Sequence, residues 1–186
     1  IFKDLTEKID FFTILSPIEY SELIPNNFWR DLTDYNAFLT DQGISDLPQE
    51  VLQTMLEKSI KGIRKEIIGQ FTTPPKLAEI LVKSTISNLT ADVLDPCTGS
   101  GTIAKAVLDL KKESLSDIVA HKTVWASDKF SFPLQIANLA LTEFSTFNIA
   151  NKVFRSNVFD LKVGNEIKIT NPSTGQDESH IVPEFD

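Results

Sequence analysis

The stretch DVLDPCTGSG, residues 92–101, decides how this chain is expected to fold. Residues 92–95, with apolar Val93 and Leu94 between two acids, predict a short buried strand, while the segment from Ser100 to Leu110 predicts a helix. The glycines between them allow the backbone to bend sharply and to approach a ligand closely. Because the first amides of a helix have no partner within the helix, this corner is predicted to cradle a small molecule.

Helices and strands alternate on both sides of this corner. Helix-start signals and apolar runs predict a helix from Thr73-Pro74 to Ser84, a strand at 123–126, a helix at 132–144, a strand at 152–155 and a short strand at 166–169. Such a βαβαβ order predicts a parallel sheet with helices on both faces, that is, a doubly wound α/β domain. Residues 162–179 are otherwise polar, and residues 181–186 have the pattern of an approach to a further strand.

The part of the chain before residue 69 has a helical pattern instead. Asn27 is a candidate cap for a helix that Gly43 would end, and a second amphipathic helix follows from Asp46. The lysines of that second helix form either a solvated face or a contact for a DNA backbone. We therefore predict an N-terminal helical segment at 1–68 and a partial ligand-binding domain at 69–186.

Composition limits the class of protein. The 186 residues include 18 Lys+Arg and 26 Asp+Glu, a net charge of −8, so a free-standing nucleic-acid binder is disfavoured. One cysteine and two histidines do not suggest a zinc site. No apolar run approaches the roughly 18 residues of a membrane helix, and the first residues do not have the pattern of a secretion signal. We expect a cytoplasmic protein without a metal or a membrane span.

By itself, the glycine loop does not distinguish a dinucleotide site from a site for another nucleoside. Read as Gly99-x-Gly101-x-x-Ala104, it also fits the dinucleotide fingerprint, with Asp128 at the end of the next strand as a ribose ligand. Asp95, however, lies before the glycines, where a carboxylate suits a cationic ligand better than an anionic pyrophosphate. The motif GQFTTP at residues 69–74 is also unexplained by a dinucleotide site.

These two motifs, GQFTTP and DPCTGSG, resemble the signatures G-Q-[YF]-x-T-P and D-P-x-x-G-S-G of N6-adenine DNA methyltransferases from restriction–modification systems. The resemblance is to type I modification subunits and fused type II enzymes, and it covers residues 69 to 160. It implies a Rossmann-like domain that binds S-adenosylmethionine at the carboxyl edge of its sheet. It also implies double-stranded DNA as a partner of the full-length protein, with a specificity subunit or a fused recognition or nuclease domain.

The resemblance assigns roles to particular residues. Thr73 and its neighbours would close over the methionine end, Asp95 would face the amino-acid moiety and sulfonium, and Asp128 would accept hydrogen bonds from both ribose hydroxyls. Asp160 would accept the adenine amine, and Phe130 would stack on the base. The cofactor-binding residues so implied are Gln70, Phe71, Thr72, Thr73, Pro74, Asp95, Pro96, Thr98, Gly99, Ser100, Gly101, Asp128, Phe130 and Asp160.

The catalytic tetrapeptide of that family, [N/D/S]-P-P-[Y/F/W], does not occur in this sequence. The nearest string, NPST at residues 171–174, has neither the second proline nor the aromatic residue. We therefore expect a portion of a larger methyltransferase that is inactive alone and whose tetrapeptide follows Asp186. The alternatives are a non-catalytic regulatory module with the same fold and a nicotinamide-dependent oxidoreductase.

Overall fold

The computed structural model describes residues 26–43, 51, 53–55, 58, 72–146, 149–171 and 177–185. Its helices are α1 (Asn26–Asp41), α2 (Pro75–Thr85), α3 (Thr102–Lys112), α4 (Asp117–Lys122) and α5 (Ser131–Leu141), with a 3₁₀ turn at Phe144–Thr146. Its strands are β1 (Val93–Asp95), β2 (Val124–Asp128), β3 (Lys152–Arg155), β4 (Glu166–Thr170) and β5 (Asp177–Ile181). The predicted boundary between residues 68 and 69 lies outside the described residues and stays a prediction.

The central sheet is parallel and has the order β1-β2-β3. Leu94 pairs with Trp125, and Trp125 pairs with Lys152 on its other side. The predicted strands at β1, β2 and β3 are thereby confirmed, and β3 has the predicted bounds. The mixed α/β class is also confirmed. Because the strands are parallel, Asp95 of β1 and Asp128 of β2 both lie at the carboxyl edge of the sheet.

Two apolar clusters lie on opposite faces of this sheet, because successive residues of a strand point to opposite sides. Val124 and Ala126 of β2 join a cluster formed with residues of α2, α3, α4 and α5. Trp125 lies between them in sequence and packs instead with Phe154 and with Ile169 of β4. The helices around the sheet therefore cover one face, and the antiparallel hairpin β4–β5 covers the other.

The prediction of helices on both faces is not borne out among the described residues. The strands follow one another in chain order across the sheet, so consecutive crossovers return on the same side. The prediction treated a βαβαβ order as sufficient, whereas helices change face only where the strand order reverses. The hairpin takes the place of the second helical layer. Its strand β5 lies partly in residues 162–179, where the sequence predicts only the strand that corresponds to β4.

Candidate functional site

The glycine corner, residues 95–101, joins β1 to α3 with two left-handed glycines. Gly99 has φ 54° and Gly101 has φ 89°. The turn is fixed by two backbone hydrogen bonds, from the Thr98 amide to the Ser127 carbonyl and from the Gly101 amide to the Thr98 carbonyl, each 2.9 Å long. The first of them ties the corner to β2. The amides that open α3 are thereby held at the carboxyl edge of the sheet.

The two glycines have different surroundings. A Cβ atom on Gly101 would lie 2.8 Å from the Cα atom of Ala137 in α5, so this glycine allows α3 and α5 to pack closely. A Cβ atom on Gly99 would meet no atom within 4 Å. Gly101 therefore serves packing, whereas Gly99 borders open space in which a ligand can approach the backbone.

Asp128 links the corner to the end of β2. Its Oδ2 atom accepts a hydrogen bond of 3.0 Å from the Gly99 amide, across 29 positions of sequence. Its Oδ1 atom accepts one of 2.9 Å from the Phe130 amide. A carboxylate offers about four acceptor positions, so each oxygen keeps room for another donor. The structure thus brings together Gly99, Asp128 and Phe130, three of the residues predicted for the site.

Asp95 and Thr98 carry polar atoms without partners inside the corner. Asp95 Oδ2 and Thr98 Oγ1 are buried and form no hydrogen bond, while Asp95 Oδ1 lies 3.4 Å from the Cys97 amide. Burial raises the pKa of the Asp95 carboxyl, and the charge of Asp128 acts in the same direction. The neighbouring Thr98 hydroxyl opposes this shift, as do the Cys97 amide, which donates to Asp95 Oδ1, and the Ala104 amide. Unpartnered buried oxygens are costly and indicate a place for a donor or a cation.

The backbone carbonyls of the corner are partly used by neighbouring elements. The Pro96 carbonyl accepts a hydrogen bond of 3.4 Å from Ser127 Oγ, and the Ser100 carbonyl accepts one of 3.0 Å from Gln53 Nε2. Gln53 is not among the residues predicted for the site. It lies in the second helix that the sequence predicts from Asp46, and nothing in that pattern distinguishes it from the other polar residues of the helix.

Thr72, Thr73 and Pro74 line a cavity of about 480 Å³ beside the corner. The opposite wall comes from the first turns of α3, with Thr102 and Lys105. The polar lining also includes Gln53, Thr54, Glu79 and Asp109, none of which was among the predicted residues. The predicted residues therefore form two groups on either side of the start of α3, because the acids and glycines of the corner do not line this cavity.

The remaining predicted residues are more exposed. Phe130 is 41% exposed, with Lys129 Nζ 5.8 Å from its ring centre. Asp160 lies on an exposed turn after β3, where its amide donates to the Asn157 carbonyl. Ser156 precedes that turn, and its amide donates to the Asp128 carbonyl. Gln70 and Phe71 lie outside the described residues.

Comparison with models of known families found no match, and comparison with curated protein sequences found none either. Among the described residues, no group of three or more His, Cys, Asp or Glu side chains could hold a metal ion. No helix in that part of the chain is both long and apolar enough to cross a membrane.

Proposed function

We propose that the glycine corner binds S-adenosylmethionine, as the cofactor-binding portion of an N6-adenine DNA methyltransferase of a restriction–modification system. The observation that carries the proposal is the bond from the Gly99 amide to the Asp128 carboxylate. It supports a site in which an open glycine and an acid of the next strand serve one ligand. The Rossmann-like, doubly wound character of the whole domain belongs to the same proposal.

The chemistry of the corner favours a cation over a pyrophosphate. Asp95 lies at the N-terminal end of α3, where the Ala104 amide favours its charged form. A pyrophosphate bound to these amides would meet that carboxylate, whereas a sulfonium or ammonium group would be attracted to it. The bare oxygens of Asp95 and Thr98 fit the positive end of S-adenosylmethionine. When bound, this cofactor supplies an electrophilic methyl group.

The other contacts follow from groups that the corner holds in place. Asp128 would accept both ribose hydroxyls on the acceptor positions that its two amide bonds leave open. The exposed Phe130 ring would stack on the adenine, and Asp160 would accept the exocyclic amine. Thr72, Thr73 and Pro74, on the neighbouring cavity, would close over the methionine end.

Binding, rather than methyl transfer, is the activity proposed for this chain. The tetrapeptide that would hold a flipped adenine is not in the sequence. DNA recognition is proposed for the full-length protein, together with a specificity subunit or fused recognition domain, because the net charge of −8 offers little electrostatic attraction to phosphates.

Calorimetric titration with S-adenosylmethionine, S-adenosylhomocysteine and NADH tests this function. We expect saturable heat with the two sulfur nucleosides, a weaker response to NADH, and an Asp128→Asn affinity lower by about tenfold or more, because two charge-assisted hydrogen bonds are weakened. Asp177→Asn, an exposed acid on β5, is the matched control and should bind as the unaltered chain does.

Three results would contradict the proposal. No heat at millimolar sulfur nucleoside, or equal affinity of the Asp128→Asn and unaltered chains, would exclude this corner as the site, and tighter binding of NADH would exclude S-adenosylmethionine as its ligand. Tighter NADH binding would favour the oxidoreductase alternative. Binding without methyl transfer by the full-length protein would favour the regulatory module.

A further inference from the structure

A second cavity, of about 360 Å³, lies at the opposite edge of the sheet. We call it the hairpin cavity, because Asn171, Glu178 and His180 of the β4–β5 region form one wall. Lys122, which ends α4 just before β2, and Lys152, the first residue of β3, form the other. Since both lysines lie at the amino ends of parallel strands, the cavity is separate from the glycine corner at the carboxyl edge.

Lys152 is held in place by neutral groups. Its Nζ atom lies 3.1 Å from His180 Nδ1 and 4.2 Å from the centre of the Trp125 ring. An ammonium group can only donate, so His180 Nδ1 accepts and the ring proton lies on Nε2. That Nε2 atom is 3.5 Å from Glu178 Oε2, outside hydrogen-bond geometry. His180 therefore accepts from Lys152 as a neutral imidazole.

The acids around the cavity have other partners. Glu178 Oε1 accepts a hydrogen bond of 2.8 Å from Asn171 Nδ2, and Asp92 Oδ1 accepts one of 2.7 Å from Trp125 Nε1. Burial lowers the pKa of Lys152, with the charge of Lys122 acting in the same direction and those of Asp92 and Glu178 opposing it. The attraction of the two acids is thus smaller than the cost of burial, and the charged form of Lys152 is disfavoured overall.

His180 experiences the same positive potential. Burial lowers its pKa first, and the charge of Lys152 lowers it further, while Glu178 opposes the shift. Three basic side chains thus line one concave space in a chain of net charge −8. The charge of Lys122 disfavours the charged form of Lys152, and that of Lys152 disfavours the charged form of His180, so a bound anion would relieve the repulsion.

We propose that the hairpin cavity is a binding site for a small phosphate-class anion, either inorganic phosphate or a phosphate monoester, with Lys122 and Lys152 as the donors. Lysine ammonium groups bind phosphate as point charges, and two of them line this cavity, one from the end of α4 and one from the start of β3. Its size suits a small ligand rather than a polymer, whose backbone would need an extended groove.

The two histidines of the chain provide the test and its internal control. His180 lines the cavity, whereas His121 is 3% exposed and bonded to the Leu141 carbonyl at 2.9 Å. In NMR titrations of the full chain, inorganic phosphate should shift the His180 ring signals saturably and raise the pKa of His180. His121 should be unaffected, and chloride at equal ionic strength should produce neither change. The same titration is repeated with methyl phosphate and with acetate.

Comparison of these titrations distinguishes inorganic phosphate from a phosphate monoester as the ligand. Tighter binding of phosphate indicates a free-anion site, and tighter binding of methyl phosphate indicates a monoester site. Lys152→Gln should weaken either by about tenfold or more, Lys122→Gln should weaken it to a smaller extent, and Lys162→Gln, an exposed lysine elsewhere, should not. Absence of a saturable His180 shift, equal affinity for acetate, or an unchanged affinity in a folded Lys122→Gln chain would overturn the proposal.

Discussion

Replacing each glycine of the corner by alanine separates packing from ligand access. In the Gly101→Ala variant the new methyl group would lie 2.8 Å from Ala137 Cα and 2.9 Å from Ala137 Cβ. Carbon atoms normally approach to about 3.5–4.0 Å, and the first of these contacts is with helix backbone that cannot rotate away. The variant must therefore shift α3 relative to α5 or distort the corner.

The expected cost has two parts. Overpacking costs about 1–3 kcal/mol, and a residue with a Cβ atom in the left-handed region costs about 1–2 kcal/mol more. Gly101→Ala should therefore lower the free energy of unfolding by about 2–5 kcal/mol. Gly99→Ala has only the second part, about 1–2 kcal/mol, because its methyl group meets no atom within 4 Å.

Urea unfolding of both variants, followed by far-ultraviolet circular dichroism, measures this difference. At about 2–4 °C per kcal/mol, thermal unfolding should rank the variants in the same order. At temperatures where both variants are folded, Gly99→Ala should bind S-adenosylhomocysteine more weakly than Gly101→Ala does, since Gly99 borders the open space. Equal unfolding midpoints for the two variants would refute the assignment of Gly101 to packing.

Three further predictions concern single side chains. Asp95→Asn should abolish binding of S-adenosylmethionine yet unfold at higher urea concentration near neutral pH. The folded-state pKa of Asp95 is raised, so the contribution of this carboxyl to stability is lost as pH rises through that pKa. Urea titrations at several pH values check this. Lys111 is fully buried with a lowered pKa, so the unfolded chain binds more protons in the alkaline range and stability rises with pH there. In the same titrations, Lys111→Met should reduce the slope of unfolding free energy against pH, leaving the part due to Lys152. Phe130→Ala should change the unfolding free energy by less than about 0.5 kcal/mol because the ring is exposed, while calorimetry should show affinity for S-adenosylhomocysteine reduced by about tenfold.

Much of the corner was predictable because its signals are local. A short apolar strand, paired glycines and an apolar helical repeat lie within residues 92–112, and the structure has β1, the left-handed glycines and α3 there. Helix α4 was missed because its six residues bury only Ala120 and His121, which is too little for a periodic pattern. Strand β5 was missed because DESHI at 177–181 has no apolar alternation, and its conformation depends on pairing with β4.

The sequence by itself determined the order of the elements around the corner and the residue types at its edge, because backbone preferences act between near neighbours. Only the tertiary structure decided which face of the sheet the helices cover, that Gly99 bonds to Asp128, and that Thr72–Pro74 line a separate cavity. The hairpin cavity depends in the same way on α4, β3 and β5 meeting. Hydrogen bonds and charge repulsions between distant residues depend on the path of the chain, which short sequence patterns do not specify.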